Sequence, residues 1–123
     1  KRRIVERYTR RFSGSDLVFP PVVPPYVERH GWYMYAPAFD GSVNRDEVVN
    51  ELDDAGVETR LSFPPVHVQP YYVERFGFQP GDYPLSLDAW SHLINLPISP
   101  NLTAEQVDFV ASTTLNAVLK HRS

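Results

Sequence analysis

Apolar residues recur at helical spacing in three stretches of the chain and alternate with polar ones in between, and this patterning predicts the elements. Ile4, Val5, Tyr8 and Phe12 fall on one face of a helix over Lys1 to Phe12, which Ser13-Gly14-Ser15 breaks. Pro20-Pro21-Val22-Val23-Pro24-Pro25 must run extended, because proline fixes its own φ and biases its predecessor away from helix. Trp32 to Ala36 is aromatic-rich and predicts a strand, buried on at least one face and ended by Pro37.

A second helix is predicted over 45–55. Asn44 can cap it, Glu47 can reach back to the cap, Val43 and Val48 form a hydrophobic staple, and Gly56 supplies a left-handed stop. Val48, Val49, Leu52 and Ala55 make its apolar stripe. Val57, Thr59, Leu61 and Phe63 then alternate with Glu58, Arg60 and Ser62, the period of a half-buried strand that Pro64-Pro65 ends. A loop follows over Val66 to Tyr72, then a mixed stretch to Trp90, then a short strand over Leu93 to Leu96. Thr103 and Gln106 form a capping box before the last helix, Leu102 staples to Val107, and Val107, Val110, Ala111, Leu115 and Val118 form its stripe. Three helices and three short strands predict a single α+β domain, a small α/β layer, spanning residues 1–123.

Composition narrows the function classes more than it selects one. The 123 residues are 42% hydrophobic and 22% charged, as expected of one globular domain. Twelve Lys and Arg against 15 Asp and Glu give a net charge of -3, which argues against a nucleic-acid partner. No apolar run approaches the ~20 residues that cross a bilayer, and the basic N-terminus lacks a signal-peptide core, so no membrane partner is expected. With no cysteine, a reducing cytoplasm is the default expectation. The chain opens on Lys1 inside a helical pattern rather than on Met, which points to a piece of a longer parent.

His67 stands out chemically, because it shares a proline-stiffened loop with Gln69 and Tyr71, and imidazole, amide and phenol all hydrogen-bond phosphate or sugar oxygens. The competing reading is that His67 satisfies backbone groups of its own loop. Arg60 could pair bidentately with an anionic ligand, or form an ion pair with Glu58 or Asp54. His30, His67, His92 and His121 lack ligand spacing, so no metal is expected. No serine elbow, phosphate-cradling glycine loop or dinucleotide fingerprint is present. Pro21-Val22-Val23-Pro24 reads as connector, Asn101-Leu102-Thr103 as a cap rather than a glycosylation acceptor, and the cationic first helix as a solvated face.

The order of short segments carries a resemblance. Arg45-Asp46, Gly56-Val57-Glu58-Thr59-Arg60, Pro65-Val66-His67-Val68-Gln69-Pro70-Tyr71, Gly81-Asp82-Tyr83-Pro84, Leu96-Pro97-Ile98-Ser99-Pro100 and Leu102-Thr103 follow one another. In that order they resemble the C-terminal end of the DegT/StrS-like family of nucleotide-sugar aminotransferases, which depend on pyridoxal 5'-phosphate (PLP). The first helix, from Arg2 to Tyr8, resembles the family's helix entering this domain.

The resemblance implies the C-terminal small domain of a fold type I, aspartate-aminotransferase-like PLP enzyme. It also implies transfer of an amino group, commonly from glutamate, to a keto sugar carried on a nucleotide by a homodimeric parent. His67, on the family's P-x-H-x-Q-P-x-Y signature, becomes the first candidate for substrate contact, with Gln69, Tyr71 and Arg60 after it. The Schiff-base lysine and its acidic partner belong to the family's larger domain; Lys1 and Lys120, the only lysines here, match neither. Catalytic and cofactor-binding residues are therefore expected outside this chain, which alone would be inactive. Leu87 replaces a frequent acidic residue and Asn95 a usual serine, leaving the sugar open. A degenerate or stand-alone module, binding a nucleotide sugar without catalysis, is the alternative.

Overall fold

Helices predicted from local start signals lie where those signals place them in the computed structural model, which describes residues 1–123. Helix α1 spans Arg2–Phe12, α2 Arg45–Asp54 and α5 Ala104–Lys120; two shorter helices, α3 (Pro70–Phe76) and α4 (Pro84–Ser91), lie between α2 and α5. At the start of α5 the Thr103 hydroxyl accepts from the Gln106 N–H at 3.1 Å, and the Gln106 side chain accepts from the Thr103 N–H at 2.9 Å. The box expected at α2 is only half formed. Asn44 Oδ1 accepts from Glu47 N–H at 3.2 Å, but the Asn44 N–H donates to His121 O at 2.9 Å, leaving Glu47 nothing to reach back to. Gly56 ends α2 at φ 83, with its own N–H on Asp53 O and that of Val57 on Leu52 O, the paired bonds that satisfy a helix C-terminus. Ala55, expected on the apolar stripe, is exposed, and Val49 is only half-buried.

The predicted strands are replaced by a ladder of very short pairings. Strand β1 (Val18–Phe19) runs antiparallel to β2 (Ala38–Phe39), with Val18 opposite Phe39. Single antiparallel pairs extend the row: Ala38 with Leu93, Tyr35 with Leu96, and Arg60 with Asn95. Proline explains the brevity. Pro37 and Pro97 donate no N–H, so the one antiparallel register that Tyr35–Leu96 and Ala38–Leu93 share is broken into single pairs. Trp32 adopts a left-handed φ of 46, which rules out the strand start expected there. Tyr35 of that segment is buried, whereas Tyr33 and Met34 are exposed. Of the apolar face expected over 57–63 only Val57 is buried, and Phe63 is 93% exposed.

The core lies between this ladder and the three long helices, with α1 and α2 both packed on α5. Tyr8 anchors it. Its ring stacks on Phe12 and Tyr35 at centroid distances of 6.0 and 5.2 Å, and its hydroxyl donates to Pro97 O at 2.7 Å. Part of the cationic face of α1 is not simply solvated: Arg7 grips Asp108 of α5 through two bonds of 2.8 and 2.7 Å, and Arg11 lies 3.3 Å from the same carboxylate.

These contacts make the fold sensitive to acid. The Arg7 hydrogen bonds, then the charges of Arg7 and Arg11, hold the Asp108 carboxyl below its ordinary range. The Lys120 ammonium does the same for Glu51, and Ser42 for Asp40. A carboxylate depressed in the fold binds fewer protons than in the unfolded chain, so its stabilisation is complete above about pH 4 and is lost below it. The thermal midpoint is expected to fall steadily on acidification through that range, and less steeply in Asp108→Asn. Parallel pH profiles for the two proteins would contradict this.

Candidate functional site

The P-x-H-x-Q-P-x-Y signature folds as one turn of 310 helix at Val66–Val68 running directly into α3. Pro70 occupies the first position of α3, where its missing N–H costs nothing, and Gly77 closes the helix at φ 69. The same device recurs at Pro84 in α4. These prolines mark helix starts within stretches expected to be loop and mixed structure. Neither helix has a buried residue, so neither writes an apolar stripe into the sequence.

His67 is 6% exposed, in a region otherwise open to solvent. Its Nε2 lies 2.9 Å from Pro80 O, and its ring packs on Tyr83 at 5.0 Å between centroids. A carbonyl oxygen only accepts, so Nε2 carries a hydrogen, and in the neutral ring Nδ1 is then an acceptor. His67 thus clips the signature to the 310 turn at Pro80–Asp82, whose own ends are held by a reciprocal bond between Gln79 and Asp82. Gln69 Nε2 donates to Pro64 O at 3.2 Å, tightening the same loop from the other side. Tyr71 is exposed at the start of α3. Arg60 lies on the ladder, its backbone paired with Asn95, its side chain 81% exposed and 3.6 Å from the Glu58 carboxylate.

A cavity of about 730 Å3 opens beside His67. It runs between the signature and α4, with Phe63, Tyr72, Phe76, Phe78, Tyr83 and Trp90 among its lining. Of the four candidate residues only His67 lines it; Arg60, Gln69 and Tyr71 stand outside. No Lys, Arg, Asp or Glu lines it, and its polar groups are His67 and the hydroxyls of Ser62, Tyr72, Tyr83 and Ser86.

Arg45 supports this wall and was legible in the sequence only as part of a motif. It is 7% exposed at the first position of α2, an unfavourable end of the helix dipole for a cation. Its Nη1 donates to Trp90 O at 2.8 Å and to Leu93 O at 3.1 Å, its Nε to Asp46 at 3.0 Å, and its guanidinium lies 4.9 Å from the centre of the Trp90 ring. Trp90 in turn donates from its indole to Ser62 O at 2.7 Å, so one arginine ties α2 to the end of α4 and, through Trp90, to the segment entering the signature. An arginine where helix starts favour acids is the signal that could have revealed it.

Residues 1–114 match the model of the DegT/DnrJ/EryC1/StrS aminotransferase family. The chain is 30% identical over 125 residues to the spore coat polysaccharide biosynthesis protein SpsC of Bacillus subtilis, covering 96% of this chain and 32% of that protein. It is 33% identical over 111 residues to the erythromycin biosynthesis sensory transduction protein EryC1 of Saccharopolyspora erythraea, covering 89% of this chain and 29% of that one. The chain thus spans about a third of the length of the curated relatives it matches. Among solved structures, Spr1654 of Streptococcus pneumoniae, assigned as a sugar aminotransferase and captured in its PMP form, superposes with a TM-score of 0.87. Identity is 25%, over 97% of this chain and 30% of that one.

Proposed function

Because the chain belongs to the DegT/DnrJ/EryC1/StrS aminotransferase family, we propose that it is the C-terminal domain of a PLP-dependent enzyme that moves an amino group from glutamate to a nucleotide-linked keto sugar. The observation that carries this is the superposition of nearly the whole chain on about a third of Spr1654. The name of SpsC, a protein of polysaccharide biosynthesis, supports a sugar as acceptor.

The chain's own residues do not suit the cofactor. PLP supplies an electron sink, and the lysine that anchors it must offer a free amine. Lys120 instead donates to Glu51 at 2.8 Å, a bond that raises its pKa and keeps it an ammonium, and Lys1 lies exposed at the head of α1. The anchoring and acid–base groups therefore belong to the rest of the protein.

What this domain offers is a pre-shaped loop for the acceptor. With Nε2 committed to Pro80, His67 has Nδ1 left to accept from a sugar hydroxyl. Gln69, committed through Nε2, has Oε1 left, and Tyr71 presents its phenol. The Arg60 guanidinium faces only an exposed Glu58 and can exchange that weak pair for a phosphate of the nucleotide. The parent is a homodimer in this reading, and its site sits in a cytoplasmic enzyme.

Addition of glutamate to the full-length protein is expected to abolish the absorbance of bound PLP, and addition of a nucleotide-linked keto sugar to restore it. Bound PLP that does not respond to either would favour a regulatory homologue instead, a reading that the sensory transduction name of EryC1 keeps open.

A further inference from the structure

His67 is the only buried histidine of the four, yet one of its ring nitrogens is unspent. Nε2 donates to Pro80 O at 2.9 Å, and the ring packs on Tyr83 at 5.0 Å between centroids. Nδ1 has no partner in the protein. It is not walled in either: no fully buried side-chain nitrogen or oxygen lacks a hydrogen bond, so an unpaired Nδ1 reaches the surface. The ring therefore presents one acceptor outward. Both contacts that fix it come from one short turn, Pro80 supplying the carbonyl and Tyr83 the second ring. No residue of that turn is buried, so packing against the core does not hold it.

Hydrogen bonds to Asp82 hold it instead. Asp82 Oδ2 accepts from Gln79 N–H at 2.8 Å, and Asp82 N–H donates to Gln79 O at 3.0 Å. These two bonds enclose Pro80 and Gly81, and with the fixed φ of proline they set where the Pro80 carbonyl points. Resting on the reading above, we propose that Asp82 is a positioning residue for the acceptor sugar. Its carboxylate closes the turn that aims Pro80 O at Nε2, and so keeps the imidazole with Nδ1 outward to accept from a sugar hydroxyl. An imidazole whose clip is loose can turn about its broad Cβ–Cγ torsion, and its acceptor no longer waits in one place. Asp82 is exposed and forms no ion pair, so its charge is not what the turn uses. What the turn uses is an acceptor for the Gln79 N–H. Removing that acceptor loosens the clip without deleting the imidazole, so its effect is smaller than that of losing His67.

Kinetics of the full-length protein test this, together with the imidazole N–H signals of the same protein labelled with 15N-histidine. In Asp82→Ala, kcat/KM for the nucleotide-linked keto sugar should fall about 3–10-fold, while the glutamate half-reaction is untouched. Asp82→Asn should recover most of the loss, because its Oδ1 still accepts from Gln79 N–H. Added to His67→Ala, Asp82→Ala should cost nothing further, the mark of a residue that acts through another. The Nε2–H signal of His67, identified by its disappearance in His67→Ala, should be sharp in the unsubstituted protein and in Asp82→Asn. In Asp82→Ala it should be lost to exchange with water. A double variant whose loss is the product of the two single losses would overturn the proposal. So would equal loss in both half-reactions, or an Nε2–H signal that stays sharp in Asp82→Ala. The spectrum needs no turnover: a protein whose His67 signal depends on Asp82 yet which transfers no amine to any keto sugar would keep the hold on His67 and refute the transaminase reading.

Discussion

Arg45→Ala is expected to destabilise the 123-residue chain by about 2–3 kcal/mol, a large share of the 5–15 kcal/mol that holds a domain of this size together. Its removal leaves Leu93 O without its bond and Trp90 O with only longer backbone contacts, and strips the cation from the Trp90 face. Asp46 is well exposed and regains water, so no stranded charge adds to the cost. Arg45→Lys should recover only part of the loss, because a compact ammonium cannot reproduce the fork that reaches two carbonyls while lying against an indole. Chemical denaturation of the three proteins measures this; an Arg45→Lys chain as stable as the parent would show that charge alone suffices.

In the full-length protein, His67→Ala is expected to lower kcat/KM for the keto sugar by about 10–100-fold, while the glutamate half-reaction and the PLP absorbance stay as they were. The alanine loses both the clip to Pro80 and the acceptor at Nδ1. His67→Gln distinguishes the two, since an amide can donate to Pro80 O without placing an imidazole acceptor before the sugar. Recovery in His67→Gln would make His67 a positioning residue for the signature loop; continued loss would make it a substrate contact. Unchanged kinetics in His67→Ala would remove it from the site.

Local chemistry was the legible part of the sequence. Caps, staples and stops involve residues at most a few positions apart, so Asn44, Gly56, Thr103 and Gln106 announced the ends of α2 and the start of α5. The ladder was not legible, because each of its pairs joins segments distant in sequence and is only one or two residues long, too short for an alternating pattern to mark. Helices α3 and α4 were missed for a physical reason that matters to function. A helix shows itself by the stripe it buries, and these two bury nothing within this chain. Their aromatic residues look like loop decoration until they are seen lining one cavity.

The candidate site was legible unevenly. His67 was singled out from its loop chemistry, and its bond to Pro80 O matches the reading in which it satisfies a backbone group, while the substrate contact remains the proposal made above. Arg60 keeps its expected pairing with Glu58, exposed and outside the cavity. Arg45, hidden in a motif, became visible as the support of the cavity wall only through its distances to Trp90 and Leu93.

Transfer of nitrogen from 15N-labelled glutamate to a nucleotide-linked keto sugar, followed by mass spectrometry, tests the central claim most directly. The full-length protein should yield the labelled amino sugar and the 123-residue chain none, because the chain's two lysines, Lys1 and Lys120, are both exposed and neither lines the cavity beside His67. Labelled product from the 123-residue chain alone, or its absence from PLP-loaded full-length protein across nucleotide-linked keto sugars, would contradict the account.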